Sequence, residues 1–204
     1  MAPTPNATWT LRNGTAWVFT AGHELVRPVI LAGDAGTELA ALAASADDGT
    51  YSLLGELRAR RLDLILLGLS ADAELSGHGS AVEETVFRAI NEKAGSDRLT
   101  VGGTGRGALA ARYALASMEY KRINHEVGVF FSHNGAAPGL EEGAELKRVG
   151  DRPQIPLFLR MVDSGVTDDL NDDIADETKT GEAGPAGPLL TKEYGSWLLD
   201  RLSR

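Results

Sequence analysis

The sequence predicts an α/β fold in which a mostly parallel sheet of about six to eight strands carries helices on both faces. Three observations predict it. Apolar runs with strand character alternate with amphipathic, helix-like segments along most of the chain. One run, residues 62–69, is apolar at almost every position, as expected of a strand covered on both faces. The 204 residues suffice for one domain with a full core, so a single domain is predicted for residues 1–204.

Runs of β-branched, aromatic or continuously apolar residues predict strands at residues 15–20, 26–32, 62–69, 98–103, 126–132 and 155–162. Apolar residues at helical spacing predict helices at residues 38–44, 51–60, 81–93, 106–121, 141–148 and 191–202. Thr37 is the predicted cap of the first helix. Two segments are predicted without regular structure: a loose N-terminus, residues 1–8, and a mobile loop rich in acidic residues, Gly and Pro, residues 166–188.

The composition excludes several kinds of site. A net charge of −9 argues against nucleic acids and anionic membranes as partners. The chain has no cysteine, so disulfides and thiol nucleophiles are impossible. No apolar run approaches the ~20 residues of a membrane span, and the first residues lack the basic and apolar regions of a signal peptide. We therefore expect a cytoplasmic protein.

The most informative stretch is residues 99–119, which has the pattern of a buried strand, a tight turn and a long helix. Its turn contains four glycines within six residues, namely Gly102, Gly103, Gly105 and Gly107. Two motifs fit this place: a nucleophile elbow, and a dinucleotide fingerprint matched by Gly103, Gly105 and Ala108. The fingerprint is disfavoured because the next predicted strand ends at residues 132–134 without an acid to hold a ribose.

The elbow interpretation is supported by the helix that follows the turn. The stretch resembles the elbow of bacterial α/β-hydrolases, in which V-G-x-x-S-x-G-G-L-x-x-R-Y-A-L is common, and the matching residues are Val101, Gly102, Gly107, Arg112, Tyr113, Ala114 and Leu115. This alignment puts Gly105 where the nucleophilic serine should be. An alignment shifted by one residue puts Thr104 there, but Arg106 then falls on a position that must be small. The chain therefore resembles an α/β-hydrolase whose nucleophile is missing.

The other triad positions are also incomplete. In α/β-hydrolases an acid and then a histidine follow the nucleophile in chain order. Asp163, just past a late predicted strand, falls on the acid position, and a purely structural carboxylate is the alternative for it. All of the histidines precede Asp163, and they are His23, His78, His125 and His133. Acyl transfer by the familiar triad is therefore excluded.

The pocket of such a scaffold should survive the loss of the triad. The backbone N–H of Arg106 and the loop 33–36 are expected to supply amides that bind an anionic oxygen. The Arg106 side chain either clamps a carboxylate or is exposed, and His133 is either a general base or a loop histidine bonded to a neighbour. The predicted substrate-binding residues are Gly33, Asp34, Ala35, Thr104, Gly105, Arg106, His133, Asn134 and Asp163. No catalytic side chain, metal ion or cofactor is predicted.

Within this fold, the chain resembles the atypical α/β-hydrolase-like epimerases of bottromycin biosynthesis, a pathway of ribosomally made, modified peptides. The resemblance rests on the fold pattern and on Gly105 in the serine position. It implies inversion of the aspartate next to a thiazoline in a macrocyclic peptide, with the substrate's own carboxylate as base. It also implies two kinds of partner: the macrocyclic thiazoline-containing peptide, and other enzymes of the pathway. The alternatives are a non-catalytic binding protein for an acyl or peptide ligand, and a hydrolase that uses Thr104 or Ser132.

Overall fold

The computed structural model describes residues 2–170, 173–184 and 187–202. Its strands are β1 (Ala7–Leu11), β2 (Gly14–Phe19), β3 (Pro28–Ala32), β4 (Asp63–Leu69), β5 (Leu99–Thr104), β6 (Val127–His133), β7 (Leu157–Asp163) and β8 (Glu177–Gly181). Its helices are α1 (Leu39–Ala46), α2 (Leu53–Ala59), α3 (Leu75–Glu92), α4 (Arg106–Tyr120), α5 (Leu140–Arg148) and α6 (Lys192–Leu202).

The strands form one eight-stranded sheet in the order β1-β2-β4-β3-β5-β6-β7-β8. β2 is antiparallel to both of its neighbours, β1 and β4. All pairings from β4 through β3, β5, β6 and β7 to β8 are parallel. Parallel neighbours need long crossover connections, which helices provide except between β7 and β8, where no helix is found among the described residues. The predicted α/β fold with a mostly parallel sheet is therefore confirmed.

Two apolar layers hold the helices on the sheet. On one face α3 and α4 cover the centre of the sheet, where Leu115 belongs to the same buried cluster as Ile65. On the other face α1, α2 and α6 form a second cluster, which includes Leu198 and Leu66. Because neighbouring strand residues point to opposite faces, β4 contributes to both layers and all of its residues are buried. This double burial explains the continuous apolar run in the sequence.

Two predictions for the first part of the chain were wrong. Residues 7–8, predicted to be loose, already belong to β1. The chain is also held before that strand, because the Asn6 side chain accepts a hydrogen bond of 3.0 Å from the backbone N–H of Thr20. Thr37 does not cap α1, since the capping position is Glu38 and no side-chain hydrogen bond caps the helix there.

The segment 166–188 is not one continuous loop. It contains β8, which lies at the edge of the sheet and pairs with β7. It also contains Asp168, which is 2 % exposed rather than solvated. Residues 171–172 and 185–186 of this segment lie outside the described residues, and its mobility stays a prediction.

The predicted site residues lie along one edge of the sheet. β3, β5, β6 and β7 run parallel and end at Ala32, Thr104, His133 and Asp163 respectively. The ends of β5 and β6 are directly paired, Thr104 with His133. This carboxyl edge is where open α/β sheets bind their ligands. Among the described residues, we find no helix with the length and apolar character needed to span a membrane.

Candidate functional site

The glycine turn has the geometry of a nucleophile elbow. β5 ends at Thr104, α4 begins at Arg106, and between them Gly105 has φ 52° and ψ −123°, in a region that side-chain-bearing residues rarely adopt. Gly103 permits the close approach of strand and helix, because a Cβ there would lie 2.6 Å from the carbonyl carbon of Gly107. At Gly107 a Cβ would overlap the backbone oxygen of Ala32. The predicted strand, turn and helix are therefore confirmed.

The two predicted anion-binding amides converge on a carboxylate of the protein itself. Asp34 Oδ1 accepts a hydrogen bond of 2.7 Å from the backbone N–H of Arg106 and one of 3.2 Å from that of Ala35. Gly33 is not part of this amide group, because its N–H donates to the carbonyl of Leu67 at 2.9 Å. The loop after β3 therefore contributes both an amide donor and the anion that the amides hold.

Gly105 and Asp34 are sterically matched. A Cβ on Gly105 would lie 2.8 Å from Asp34 Oδ1 and 2.9 Å from its Cγ. The carboxylate therefore lies against the position from which a nucleophilic side chain would project. A serine at residue 105 would need both a strained backbone conformation and a displaced Asp34.

The Arg106 side chain is neither a free clamp nor fully exposed. Its guanidinium forms a bidentate ion pair with Glu142 in the first turn of α5, with 3.0 Å between Nη1 and Oε2. The hydrogen bonds between these two side chains lower the pKa of the Glu142 carboxyl and raise the pKa of the Arg106 guanidinium. Glu142 also accepts a 2.8 Å hydrogen bond from the Gly139 N–H. Glu142 was not among the predicted site residues, although a glutamate three residues after the N-cap, here Gly139, is a capping signal.

A second polar group lies at the ends of β6 and β7. The Asp163 N–H donates to Asn134 Oδ1, and Asn134 Nδ2 donates to Asp163 Oδ2, both at 2.8 Å. Because a backbone N–H can only donate, the atom of the Asn134 amide that faces Asp163 N–H must be its oxygen. The other amide atom, Nδ2, is therefore the one that lies 3.4 Å from His133 Nε2. Asn134 has φ 45°, a left-handed conformation that asparagine tolerates. His133, Asn134 and Asp163 are thus brought together as predicted.

The His133 side chain is partly buried, and its Nδ1 atom is buried without a hydrogen-bond partner among the described residues. Burial lowers its pKa, and the nearby Asp163 carboxylate only partly opposes this effect. The ring centroid lies 5.2 Å from that of Tyr194 in α6, whose hydroxyl donates to the carbonyl of Val162 at 2.8 Å. Burial and Asp163 raise the pKa of Tyr194. Tyr194 was not among the predicted site residues. It lies in α6, and a triad histidine would be expected just before this helix.

No histidine activates a hydroxyl in the described part of the chain. His78 Nε2 lies 2.8 Å from the Ser70 carbonyl, and His125 contacts Glu119 and the N–H of Val127. None of these rings is hydrogen-bonded to Thr104 or Ser132, and Ser132 is 2 % exposed. The geometry therefore offers no support for the hydrolase alternative that uses either hydroxyl.

Near the candidate site, a buried ion pair anchors the chain after β7. Arg160 Nε and Nη2 donate to the two carboxylate oxygens of Asp168 at 2.9 and 2.8 Å. Both side chains are less than a tenth exposed. A search of the described residues finds no group of three or more His, Cys, Asp or Glu that could hold a metal ion.

Comparisons with solved structures identify the fold. The sequence matches no protein-family model and no curated protein. An esterase from Pyrobaculum calidifontis is similar in structure, with a TM-score of 0.61 and 11% identity over 99% of this chain and 84% of that one. Est1E from Butyrivibrio proteoclasticus gives a TM-score of 0.59 and 10% identity over 93% of this chain and 91% of that one.

Other structural neighbours are longer proteins. Esterase Est22 gives a TM-score of 0.55 at 9% identity, and the match covers 78% of this chain but 63% of Est22. For the enterochelin esterase from Shigella flexneri the TM-score is 0.57 at 15% identity, with 98% of this chain and 58% of that one covered. The chain thus spans less than two thirds of these two proteins. Together the neighbours show an α/β-hydrolase fold.

Proposed function

We propose that the protein is a peptide epimerase that inverts the α-carbon of an aspartate next to a thiazoline in a macrocyclic peptide. The peptide would belong to a ribosomally made, modified natural product, and other enzymes of that pathway would be its partners. Proton transfer would be assisted by the substrate's own carboxylate. The crevice formed by residues 33–35, 104–106, 133–134 and Asp163 would bind and orient the peptide.

One observation carries the proposal: the elbow retains an amide pair that holds an anionic oxygen, but it has lost the group that attacks. The N–H groups of Arg106 and Ala35 both donate to Asp34 Oδ1, while Gly105 has no side chain. Such a site can orient a peptide substrate without forming a covalent intermediate. This is what an epimerisation needs from its protein.

The chemistry suits a pocket without a nucleophile. The α-proton of the aspartate is acidified because the carbanion left by its removal is conjugated with the C=N bond of the thiazoline. The substrate carboxylate takes that proton, and negative charge spreads onto the ring nitrogen. A proton from solvent then adds to the opposite face of the same carbon, and the carboxylic acid releases its proton to solvent. The bonds broken and formed at the α-carbon are both to hydrogen, so no acyl group is transferred. The protein's contribution is orientation and electrostatics.

Deuterium uptake tests the proposal. A thiazoline-containing macrocyclic peptide is incubated with the protein in heavy water, and its mass is followed with time. We expect one deuteron at the aspartate α-carbon, at a rate proportional to protein concentration. The matched control is the same peptide with asparagine in place of that aspartate, which should not exchange faster than in buffer. Exchange of the asparagine peptide at the same rate would contradict substrate assistance.

The alternative is a binding protein without turnover, and the filled amide pair is the observation that favours it. A crevice whose amides are already bonded to Asp34 needs no substrate to satisfy them. In that case the peptide binds but exchanges no faster than in buffer. If the peptide neither binds nor exchanges, both proposals fail and the α/β-hydrolase fold remains.

A further inference from the structure

We propose that a cleft at the amino edge of the sheet is a second binding site, which takes a small organic anion with an apolar part, such as a medium-chain carboxylate. The cleft has a volume of about 760 Å³ and lies between the loop 20–27 and the end of α2. β2 ends there, and β3 and β4 begin there, so the cleft is at the opposite edge of the sheet from the crevice. The inference goes beyond the proposed function and does not depend on it.

The wall of the cleft that is formed by the loop 20–27 is fixed to the sheet. Asp63, at the start of β4, is 1 % exposed. Its carboxylate accepts backbone hydrogen bonds from Ala21, Val26 and Arg27 at 2.8, 2.6 and 3.0 Å. Three bonds to one buried carboxylate hold the loop in one position. The cleft is therefore preformed, and its volume is within the range of small-molecule sites, about 300–1,000 Å³.

The other wall carries Arg61 in a conformation that usually belongs to glycine. α2 ends in a Schellman motif, in which the N–H of Leu62 donates to the carbonyl of Leu57 at 2.9 Å. The N–H of Arg61 donates to the carbonyl of Arg58 at 3.0 Å, and Arg61 is the left-handed residue of the motif, with φ 56°. α5 ends in the same way, but its left-handed residue is Gly150, with φ 101°. An arginine at this position destabilises the helix end relative to glycine.

The Arg61 side chain makes no contact within the described chain that would offset this strain. It is exposed, and its guanidinium has no hydrogen bond or ion pair with any described residue. The other two guanidiniums that line the cleft are engaged, that of Arg60 by Glu56 and that of Arg27 by the carbonyl of Leu202. A guanidinium left available beside a preformed cleft is a group that a carboxylate binds well, because its paired N–H donors match the two carboxylate oxygens.

The rest of the cleft accommodates an apolar group. Val26 lines it and is 39 % exposed, and the methylene stems of the lining arginines add apolar surface. Two carboxylates also line the cleft: that of Asp63 is engaged by backbone N–H groups, and Glu24 is exposed. The three arginines thus place local positive charge in a protein whose net charge is −9. This combination favours a ligand with one anionic group and an apolar body over a polyanion, which the net charge would repel.

Sodium octanoate tests the inference, at concentrations below those at which it forms micelles. Binding is followed by NMR through the backbone amide resonances of Ala21 and Val26. We expect both resonances of the wild type to shift saturably with octanoate. Sodium acetate lacks the apolar part and octan-1-ol lacks the charge, so each should bind more weakly than octanoate, by about tenfold or more.

The decisive variant is Arg61→Gly, because glycine accepts the backbone conformation of this position. We expect octanoate binding to weaken by about tenfold or more, since the guanidinium is removed, while Tm rises by about 2–4 °C. The matched control is Arg122→Gly. Arg122 is exposed, has φ 59° in the same motif at the end of α4, and does not line the cleft. This control should raise Tm similarly and leave octanoate binding unchanged.

A second variant, Val26→Ser, tests the apolar contact. It keeps the N–H that Asp63 accepts from, and it should weaken the binding of octanoate but not that of acetate. The inference is overturned if the wild type shows no saturable shift, or if Arg61→Gly binds octanoate as tightly as the wild type. An equal loss of affinity in Arg122→Gly would reduce the effect to net charge and also overturn it. Octan-1-ol binding as tight as that of octanoate would contradict the recognition of an anion.

Discussion

The side-chain amide of Asn134 lies between Asp163 and the His133 ring. Its oxygen accepts from the Asp163 N–H, so its nitrogen faces Asp163 Oδ2 and His133 Nε2. In the neutral imidazole Nε2 can accept from Asn134 Nδ2 at 3.4 Å, while Nδ1 is buried and has no hydrogen-bond partner in the described part of the chain. Because burial lowers the pKa of His133, this neutral form is the one favoured in the folded protein.

The stability of the protein should therefore depend on pH through His133. In the unfolded chain a histidine has a pKa of about 6.5, and in the fold that value is lowered. Between the two values the unfolded state binds more protons, so the free energy of unfolding rises with pH. The contribution is complete above the unfolded pKa and is lost as pH falls below it. His133→Gln should lose this dependence, measured by urea denaturation between pH 5.5 and 7.5.

The control for this measurement is His23→Gln, which changes an exposed histidine and should keep the pH dependence of the wild type. Each variant is compared with the wild type at every pH, so that the titration of carboxylates cancels. Parallel curves for the wild type and His133→Gln would show that this imidazole does not titrate differently in the folded and unfolded states.

The sequence could predict which residues lie near the carboxyl edge of the sheet, but not how they bond. Asp34, His133 and Asn134 were placed there from strand ends and loop positions. Asp34 accepts its hydrogen bond from the N–H of Arg106, which is 72 residues away in the sequence. The Asn134 amide is oriented by the backbone N–H of Asp163, which is 29 residues away. Such contacts depend on the relative positions of loops on different strands, which no local pattern encodes.

The chain between β7 and β8 shows where element prediction failed. β8 was missed because Glu-Thr-Lys-Thr-Gly has neither apolar alternation nor a continuous apolar run. As an edge strand with β7 as its neighbour in the sheet, it has little apolar surface to bury. Arg160 in β7 and Asp168 supply a different anchor, a buried ion pair. By contrast β4, buried on both faces, was predicted correctly from its apolar run.

Removing one partner of this ion pair should be costly. Asp168→Asn removes a buried carboxylate that accepts two hydrogen bonds from Arg160, and we expect the free energy of unfolding to fall by about 1.5–3 kcal/mol. The matched control is Asp169→Asn, an exposed neighbour with φ 56° that asparagine tolerates, with an expected change within about 0.5 kcal/mol. Urea denaturation measures both. Equal stability of the two variants would show that Asp168 does not anchor the segment.

The molecule as a whole combines an α/β-hydrolase fold with an elbow whose apex residue is a glycine. Its sheet order and its likeness to esterases show an α/β-hydrolase fold. Yet Gly105 stands at the apex of the elbow, and Asp34 fills the amide pair that would hold an oxyanion. The fold was predictable because its alternating elements and its glycine turn are local patterns.

Restoring the serine alone should therefore not restore an esterase. Gly105→Ser places a Cβ in a backbone region that costs about 1–3 kcal/mol, and against the Asp34 carboxylate. We expect a lower Tm and no hydrolysis of p-nitrophenyl acetate above that of heat-denatured protein. The control Gly22→Ser, where a Cβ meets nothing within 4 Å, should keep the wild-type Tm.

Adding Asp34→Ala to Gly105→Ser should recover part of the Tm, because the overlap at the elbow is relieved while the backbone strain remains. The double variant should still show no steady turnover, since none of the described histidine rings is hydrogen-bonded to a hydroxyl beside the elbow. If the single variant were as stable as the wild type, Asp34 and Gly105 would not be sterically matched. Sustained hydrolysis by either variant would show that this fold retains a base that its geometry does not reveal.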